Sequence, residues 1–334
     1  MSNIAGEIYF IAEEPSVSTP PVRVKIGLVR ESKSGRDSQD RLLDHQTGNP
    51  RKLKLLEVVE TARVSRVENS LHQRYAGQRG IGEWFELSDL ELQDAIAECR
   101  DLAAQQAVHL PVIREADAMK GLVRDEVVLA ATDDAKEWHR RLLVADASAS
   151  VLKKIIEKYR KKVESAYESG YDVERYASVE VPRISFGGWL SEHHNAEYEA
   201  CKQSRITNPF EVSSTKTEAA LESADAELAN EFAAKLDEWS LEDELEPLHR
   251  LHLQMRRPLS VWSEEKDLSK AYLKVFCGRN QGIADICKWT TKTSNNFSSE
   301  IAEERYPLLF EEHSGLEIYG KPKIRLRVGG DGEG

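Results

Sequence analysis

Five polar side chains near the start of the chain, Tyr9, Lys25, Arg41, His45 and Glu68, are of types that move protons, hold anions and bind cations. A tyrosine hydroxyl is a poor base at neutral pH unless a cation sits beside it, and Lys25 is such a cation. Arg41 and His45 are four apart, so a helix sets them on one face; the same spacing joins Glu68 to His72. Only a folded site brings all five together, because they fall on two strands and two helices.

The positioning elements follow from local pattern. Residues 7–11 and 22–28 read as strands, joined by a Pro/Ser-rich hairpin loop over 15–21. A helix over 36–46 starts at Asp37 or Ser38 as N-cap, with Leu42 and Leu43 inward. Gly48-Asn49-Pro50 forces a turn into a third strand, 53–61, apolar enough to lie centrally. Residues 63–75 place Val64, Val67, Leu71 and Tyr75 on one helical stripe and Glu68 with His72 beside it. The loop 77–82, with Arg79, is basic. Residues 83–87 return as a short edge strand, and Ser88 or Asp89 caps a helix to about residue 108.

These residues carry a resemblance. Glu7-Ile8-Tyr9 and Lys25-Ile26-Gly27 on adjacent strands, then Arg41-x-x-x-His45, then Glu68 on a later helix resemble the GIY-YIG nuclease family over about residues 5–95. Gln46-Thr47-Gly48-Asn49-Pro50, Glu68-Asn69-Ser70-Leu71-His72 and Gly82-Glu83-Trp84-Phe85 are similar to a phage-associated, KIG-type branch of it. The resemblance implies an α+β domain, a three-stranded antiparallel sheet flanked by helices, and divalent-metal-dependent DNA cleavage.

Phosphodiester hydrolysis needs a deprotonated nucleophile, compensation for charge on the phosphoryl oxygens and help for the leaving oxygen. By resemblance, Tyr9 is the general base, Arg41 pairs with the scissile phosphate, Glu68 holds Mg²⁺ or Mn²⁺, and His45 orients the base or the phosphate. The chain has Lys25 where the family name has a second tyrosine, which leaves open whether Tyr9 or Lys25 accepts the proton. The asparagine that many members carry at a later place, after the metal glutamate, is not evident. Glu83 lies nearest that place, as a second metal ligand or as part of the fold, and His72 is a supporting candidate. A different reading keeps the scaffold and drops the chemistry: a catalytically inactive DNA-binding or assembly protein. A pure binder has use for the arginine but none for Glu68.

The rest of the chain is read more coarsely. At 334 residues two or three domains are expected, here divided as 1–110, with Pro111 marking its end, 111–210, 211–247 and 248–330. The middle is mostly helical, one long helix or a helical hairpin over 133–170, with a basic cluster in which Lys153 and Lys154 are, like Arg79 of the earlier loop, candidate DNA contacts. Of the net charge of −12, most resides in 211–247, with 12 acidic and 2 basic residues, while residues 1–95 hold 15 acidic and 13 basic. That segment suits an acidic linker or exposed helix. Residues 248–330 read as a small α+β unit, with helices over 248–257, 266–276 and 298–310 and strands over 283–290 and 322–328. Lys288-Trp289, Phe297, Tyr306-Pro307 and the closing Arg325-Leu326-Arg327-Val328 are weakly similar to the tail of phage-type recombination exonucleases. Partners expected are DNA and, through the C-terminal region, a second copy or another protein. The four cysteines lack a CxxC pair and His193-His194 lacks metal-ligand spacing, so neither suggests a metal site. No apolar run reaches the roughly 20 residues of a membrane helix and the start lacks a signal-peptide pattern, so no membrane partner and a cytoplasmic location are expected.

Overall fold

The computed structural model describes residues 4–14, 22–31, 35–80, 82–214 and 221–327. The hairpin loop expected over 15–21 lies outside them. The first unit runs β1 (Ala5–Glu13), β2 (Val22–Arg30), α1 (Ser38–Gly48), β3 (Leu53–Ala62), α2 (Val64–Arg74), β4 (Trp84–Leu87) and α3 (Asp89–Gln106). The sheet order is β3-β1-β2-β4, with all pairs antiparallel, so β3, expected to lie centrally, is an edge strand and β1 takes the centre. The three-stranded core is therefore extended to four by the expected short edge strand, which pairs Lys25 with Trp84.

Both faces of this sheet are covered, so β1 is buried at nearly every position instead of alternating. Because strand side chains alternate, Ile8, Phe10, Val24 and Ile26 point to one side and pack with Val67 and Leu71 of α2 and with Ala95 and Cys99 of α3. Tyr9, Ile11, Val29 and Trp84 point to the other, where Leu42 of α1 closes a smaller cluster. Leu43, expected inward, is 66% exposed; α1 presents only a narrow stripe to the sheet.

The chain continues through α4 (His109–Ala118), β5 (Asp125–Leu129), α5 (Asp133–Glu168), β6 (Ala177–Glu180), α6 (Phe186–His193), α7 (Asn195–Ala200), β7 (Lys202–Thr207), β8 (Phe210–Val212), α8 (Ser223–Glu238), α9 (Glu246–Cys277), β9 (Asn280–Ile283), β10 (Cys287–Trp289), β11 (Lys292–Phe297), α10 (Ser299–Arg305), α11 (Pro307–Gly315) and β12 (Lys323–Leu326). Pro111 ends no helix; it sits in the first turn of α4, where the missing N–H costs no helical bond. The 133–170 pattern is one unbroken helix of 36 residues. Two expected helices merge across Pro258 into the 32-residue α9, whereas Pro307 divides the expected 298–310 helix into α10 and α11.

The helical core is α5 against α9, where Trp138 stacks on Tyr272 at 3.7 Å and Arg141 lies over the Trp138 ring. The acidic segment is not a loose linker where it is described. It folds as α8, with Ala229, Phe232 and Leu236 buried among α5 and α9, Asp225 half-buried and accepting from Trp262 Nε1 of α9, and its other carboxylates exposed. Strands from 111–210 pair with strands from 248–330, as β5 with β9, β7 with β11 and β6 with β12, so those two spans share sheets. The four cysteines are free and buried. Among the described residues, no helix is long and apolar enough to cross a membrane.

Candidate functional site

The register of β1 and β2 sets the first half of the site. Tyr9 faces Gly27, and Ile11 faces Lys25, so Tyr9 and Lys25 are diagonal neighbours on one face. A Cβ on Gly27 would lie 2.4 Å from Tyr9 Oη and 2.5 Å from Cζ. The ring lies flat across the glycine, and no other residue leaves room for it. The tyrosine of one motif and the glycine of the other are thus one steric unit. Tyr9 is buried, and its hydroxyl is 3.3 Å from His45 Nε2 in a hydrogen bond whose direction depends on the imidazole tautomer.

Both ends of α1 are pinned so that His45 meets Tyr9. At the start, Asp37 and Asp40 form a capping box, and Glu7 of β1 accepts from the Ser38 backbone N–H and hydroxyl. At the end, Gln46 donates to the carbonyls of Asn49 and Arg51 and accepts from the Leu53 N–H. Asn49 in turn donates to Glu13, a buried carboxylate also paired with Arg51 at 2.7 Å. The Gln46–Pro50 motif is therefore a clamp on the α1–β3 turn. Arg41, one turn before His45, is half exposed and 3.6 Å from Asp44, within reach of solvent and of an incoming anion.

The second half lies along α2 and the start of β4. Lys25, itself buried, is 3.5 Å from Glu83, whose side chain is 41% exposed. Glu83 acts on Glu68 in turn. Burial and the Glu83 charge push the Glu68 carboxyl well above its ordinary range, opposed by Arg257 and Arg30. Some of Glu68 still reaches solvent. His72 is not the exposed partner of Glu68 that four-residue spacing suggested. It is buried, and its Nε2–H donates to the Ile26 carbonyl at 2.8 Å, tying α2 to β2; burial lowers its pKa to about 4 and keeps the ring neutral. Arg79 donates to the Gly82 carbonyl at 2.6 Å, and burial and the nearby Arg257 charge lower its pKa to about 10.

Sequence reading missed how α2 is held. Its N-cap is Arg63, in the left-handed region at φ 59° and without a side-chain cap. The cap comes from α9 instead: the buried carboxylate of Glu264 accepts from the Ser65 N–H at 2.7 Å and the Arg66 N–H at 3.0 Å. Beside it, Glu265 pairs with Arg63 and Arg141, both at 2.5 Å. An acidic pair on a helix is an ordinary surface pattern, so nothing in the sequence singled these two out.

Lys153 and Lys154 are exposed on α5, with no hydrogen bond or ion pair to the residues above. Much of the basic cluster around them is internally compensated: Lys158 pairs with Asp237, and Arg160 with Glu157 and Glu164.

The antiparallel sheet, the Tyr9–His45 pair and the Glu68 and Glu83 carboxylates all lie within one stretch of the chain. Residues 6–101 match the family model described as the T5orf172 domain, which supports a phage-associated, nuclease-like domain at this end of the chain. No curated protein and no solved structure matches the chain.

The residues fit a divalent cation of the hard, oxygen-seeking kind. Among the described residues no group of three His, Cys, Asp or Glu side chains could hold a metal by itself. Mg²⁺ does not need one, since it keeps several waters and takes substrate phosphate as a ligand. Glu68 and Glu83 lie near enough for the Glu83 charge to hold Glu68 against ionisation, and a dication bound between their oxygens would relieve that repulsion.

Proposed function

We propose that this protein is a divalent-metal-dependent DNA endonuclease of the GIY-YIG type, with its chemistry in residues 6–101. The observation that carries the reading is the Tyr9 ring seated on Gly27 with its hydroxyl on His45. A purely structural tyrosine has no need of a glycine platform and an imidazole one hydrogen bond away. In this reading Tyr9 takes the proton of the attacking water as His45 draws on the Tyr9 hydroxyl. Lys25 stands diagonal to Tyr9 and favours its ionised form. Arg41 offers a planar fork to the scissile phosphate, exchanging its loose contact with Asp44 for an anion. Glu68, with Glu83 as second carboxylate, would hold Mg²⁺ or Mn²⁺, which supplies neutralisation of negative charge on the phosphate and leaving oxygen. Exposed Arg and Lys residues, Lys153 and Lys154 among them, supply general attraction to the backbone.

Nicking of supercoiled plasmid in Mg²⁺ or Mn²⁺ tests this. The parent should nick, and Tyr9→Phe and Glu68→Gln should each lose on the order of 10²-fold or more. A parent that binds plasmid but leaves it supercoiled in both metals would establish the non-catalytic DNA-binding alternative.

A further inference from the structure

The Glu264 cap seats α9 against α2, and the contact continues beyond it. Pro258, Val261 and Trp262 of α9 line one groove with Arg66, Asn69 and Gln73 of α2. Arg257 lies seven residues before Glu264, two helical turns or roughly 10 Å along α9 and on the same side. Its charge acts on Glu68, on Glu83, on His72 near the far end of α2 and on Arg79 beyond it. The two helices therefore run antiparallel, and α9 delivers Arg257 to the carboxylate pair.

Arg257 is partly buried. Among the described residues, no hydrogen bond or ion pair holds its guanidinium, and Arg79 stands near enough to repel it. An arginine in such a place loses hydration, and the Glu68 and Glu83 charges offset this without a hydrogen bond or close ion pair. Its five donors in a planar fork match a phosphate, and a phosphodiester entering beside Glu68 and Glu83 would come within the field of both Arg257 and Arg79.

We propose that Arg257 binds a backbone phosphate of the DNA next to the Glu68–Glu83 pair, so that the site takes a substrate contact from outside the residues matched to the T5orf172 domain. The proposal rests on the endonuclease reading above. The bland alternative makes Arg257 a fixed counter-charge for Glu68, and the two differ in what they do to binding without metal.

The test is a titration of a short DNA duplex against the full chain in EDTA at several salt concentrations, beside nicking in Mg²⁺, for the parent, Arg257→Ala and Arg257→Lys. One lost phosphate contact should reduce the slope of log K against log salt by about 0.9 in Arg257→Ala. Affinity at low salt should fall by about tenfold and nicking by at least as much, while Arg257→Lys keeps the parental slope and recovers part of the nicking. Circular dichroism melting of the same proteins, expected to agree within a few degrees, excludes unfolding as the cause. An unchanged slope overturns the proposal, whether nicking persists or is lost; in the latter case Arg257 serves Glu68 alone. If the parent does not nick, the endonuclease reading falls, and the slope still decides whether Arg257 touches DNA. If the parent does not bind DNA, both fall.

Discussion

The two helices that bear the candidate residues are held in opposite ways. Helix α1, with Arg41 and His45, is fastened wholly by neighbours: Glu7 at its start and Gln46, Asn49 and Glu13 at its end. Helix α2, with Glu68, begins on a left-handed Arg63 that cannot cap it and borrows a carboxylate 199 residues away. One half of the site is complete within the domain; the other depends on the body behind it. A local search for a nuclease-like domain thus finds every candidate side chain of the first half and misses what keeps the second in place.

The largest effect should come from breaking the first half at its steric unit. Gly27→Ala forces a methyl to within 2.4 Å of the Tyr9 hydroxyl, so the ring must leave His45. Cleavage should fall by on the order of 10²-fold and stability by about 1–3 kcal/mol. A nicking assay beside urea unfolding measures both, and near-parental cleavage would detach Tyr9 from the chemistry.

Removing the remote cap should do less to the chemistry and as much to the fold. Glu264→Ala leaves the N–H of the buried Ser65 without an acceptor, while the Arg66 N–H keeps the Arg63 carbonyl, and should cost about 2 kcal/mol, with cleavage down by roughly tenfold as Glu68 loses its fixed place. Gln46→Ala, which loosens α1 locally, is the matched comparison, expected near 1 kcal/mol. Hydrogen exchange distinguishes them: in Glu264→Ala the amides of α2 should exchange faster while those of α1 do not.

A smaller effect is read from pH. Because the folded His72 has a pKa of about 4 against roughly 6.5 when unfolded, the fold favours its neutral ring. That contribution is complete above about pH 6.5 and is lost as pH falls towards 4. Unfolding midpoints of the parent should drop across this window, and His72→Gln should flatten the drop; a variant with the same slope as the parent would show that other groups set it.

The smallest effect has the opposite sign. Glu68 has its folded pKa raised, so its contribution is present below the ordinary carboxylate range and is lost as pH rises through the folded value. Glu68→Gln should therefore melt slightly above the parent at pH 8 and together with it at pH 4, and Mg²⁺ should narrow the gap. Equal melting at both pH values would mean that Glu68 ionises freely.

What could be read from the sequence tracks the same division. Strands β1 to β4 and helices α1 and α2 were legible because alternation, a turn signal and a four-residue spacing are local, and Tyr9 with Gly27 came as a motif pair. The inward face given to Leu43 was wrong because a helix lying on one edge of a sheet buries less than its apolar residues suggest. The expected hairpin option over 133–170 and the break at Pro258 failed for a common reason: α5 and α9 stabilise each other, and their packing overrides weak local signals. Strands β5, β7 and β11 were not seen at all. They are mostly exposed and gain order from partners distant in sequence. Arg257 and Glu264 were invisible for the same reason.

The borrowed cap also has a consequence in time. At about 5–20 residues per second on the ribosome, the 199 positions that separate Ser65 from Glu264 correspond to roughly 10–40 s. During that interval the sheet, α1 and the Tyr9–His45 pair can already form, while the Ser65 N–H at the start of α2 still lacks its acceptor. The Tyr9–His45 side of the candidate site can thus form early, and the Glu68 side gains its cap only once α9 has been made.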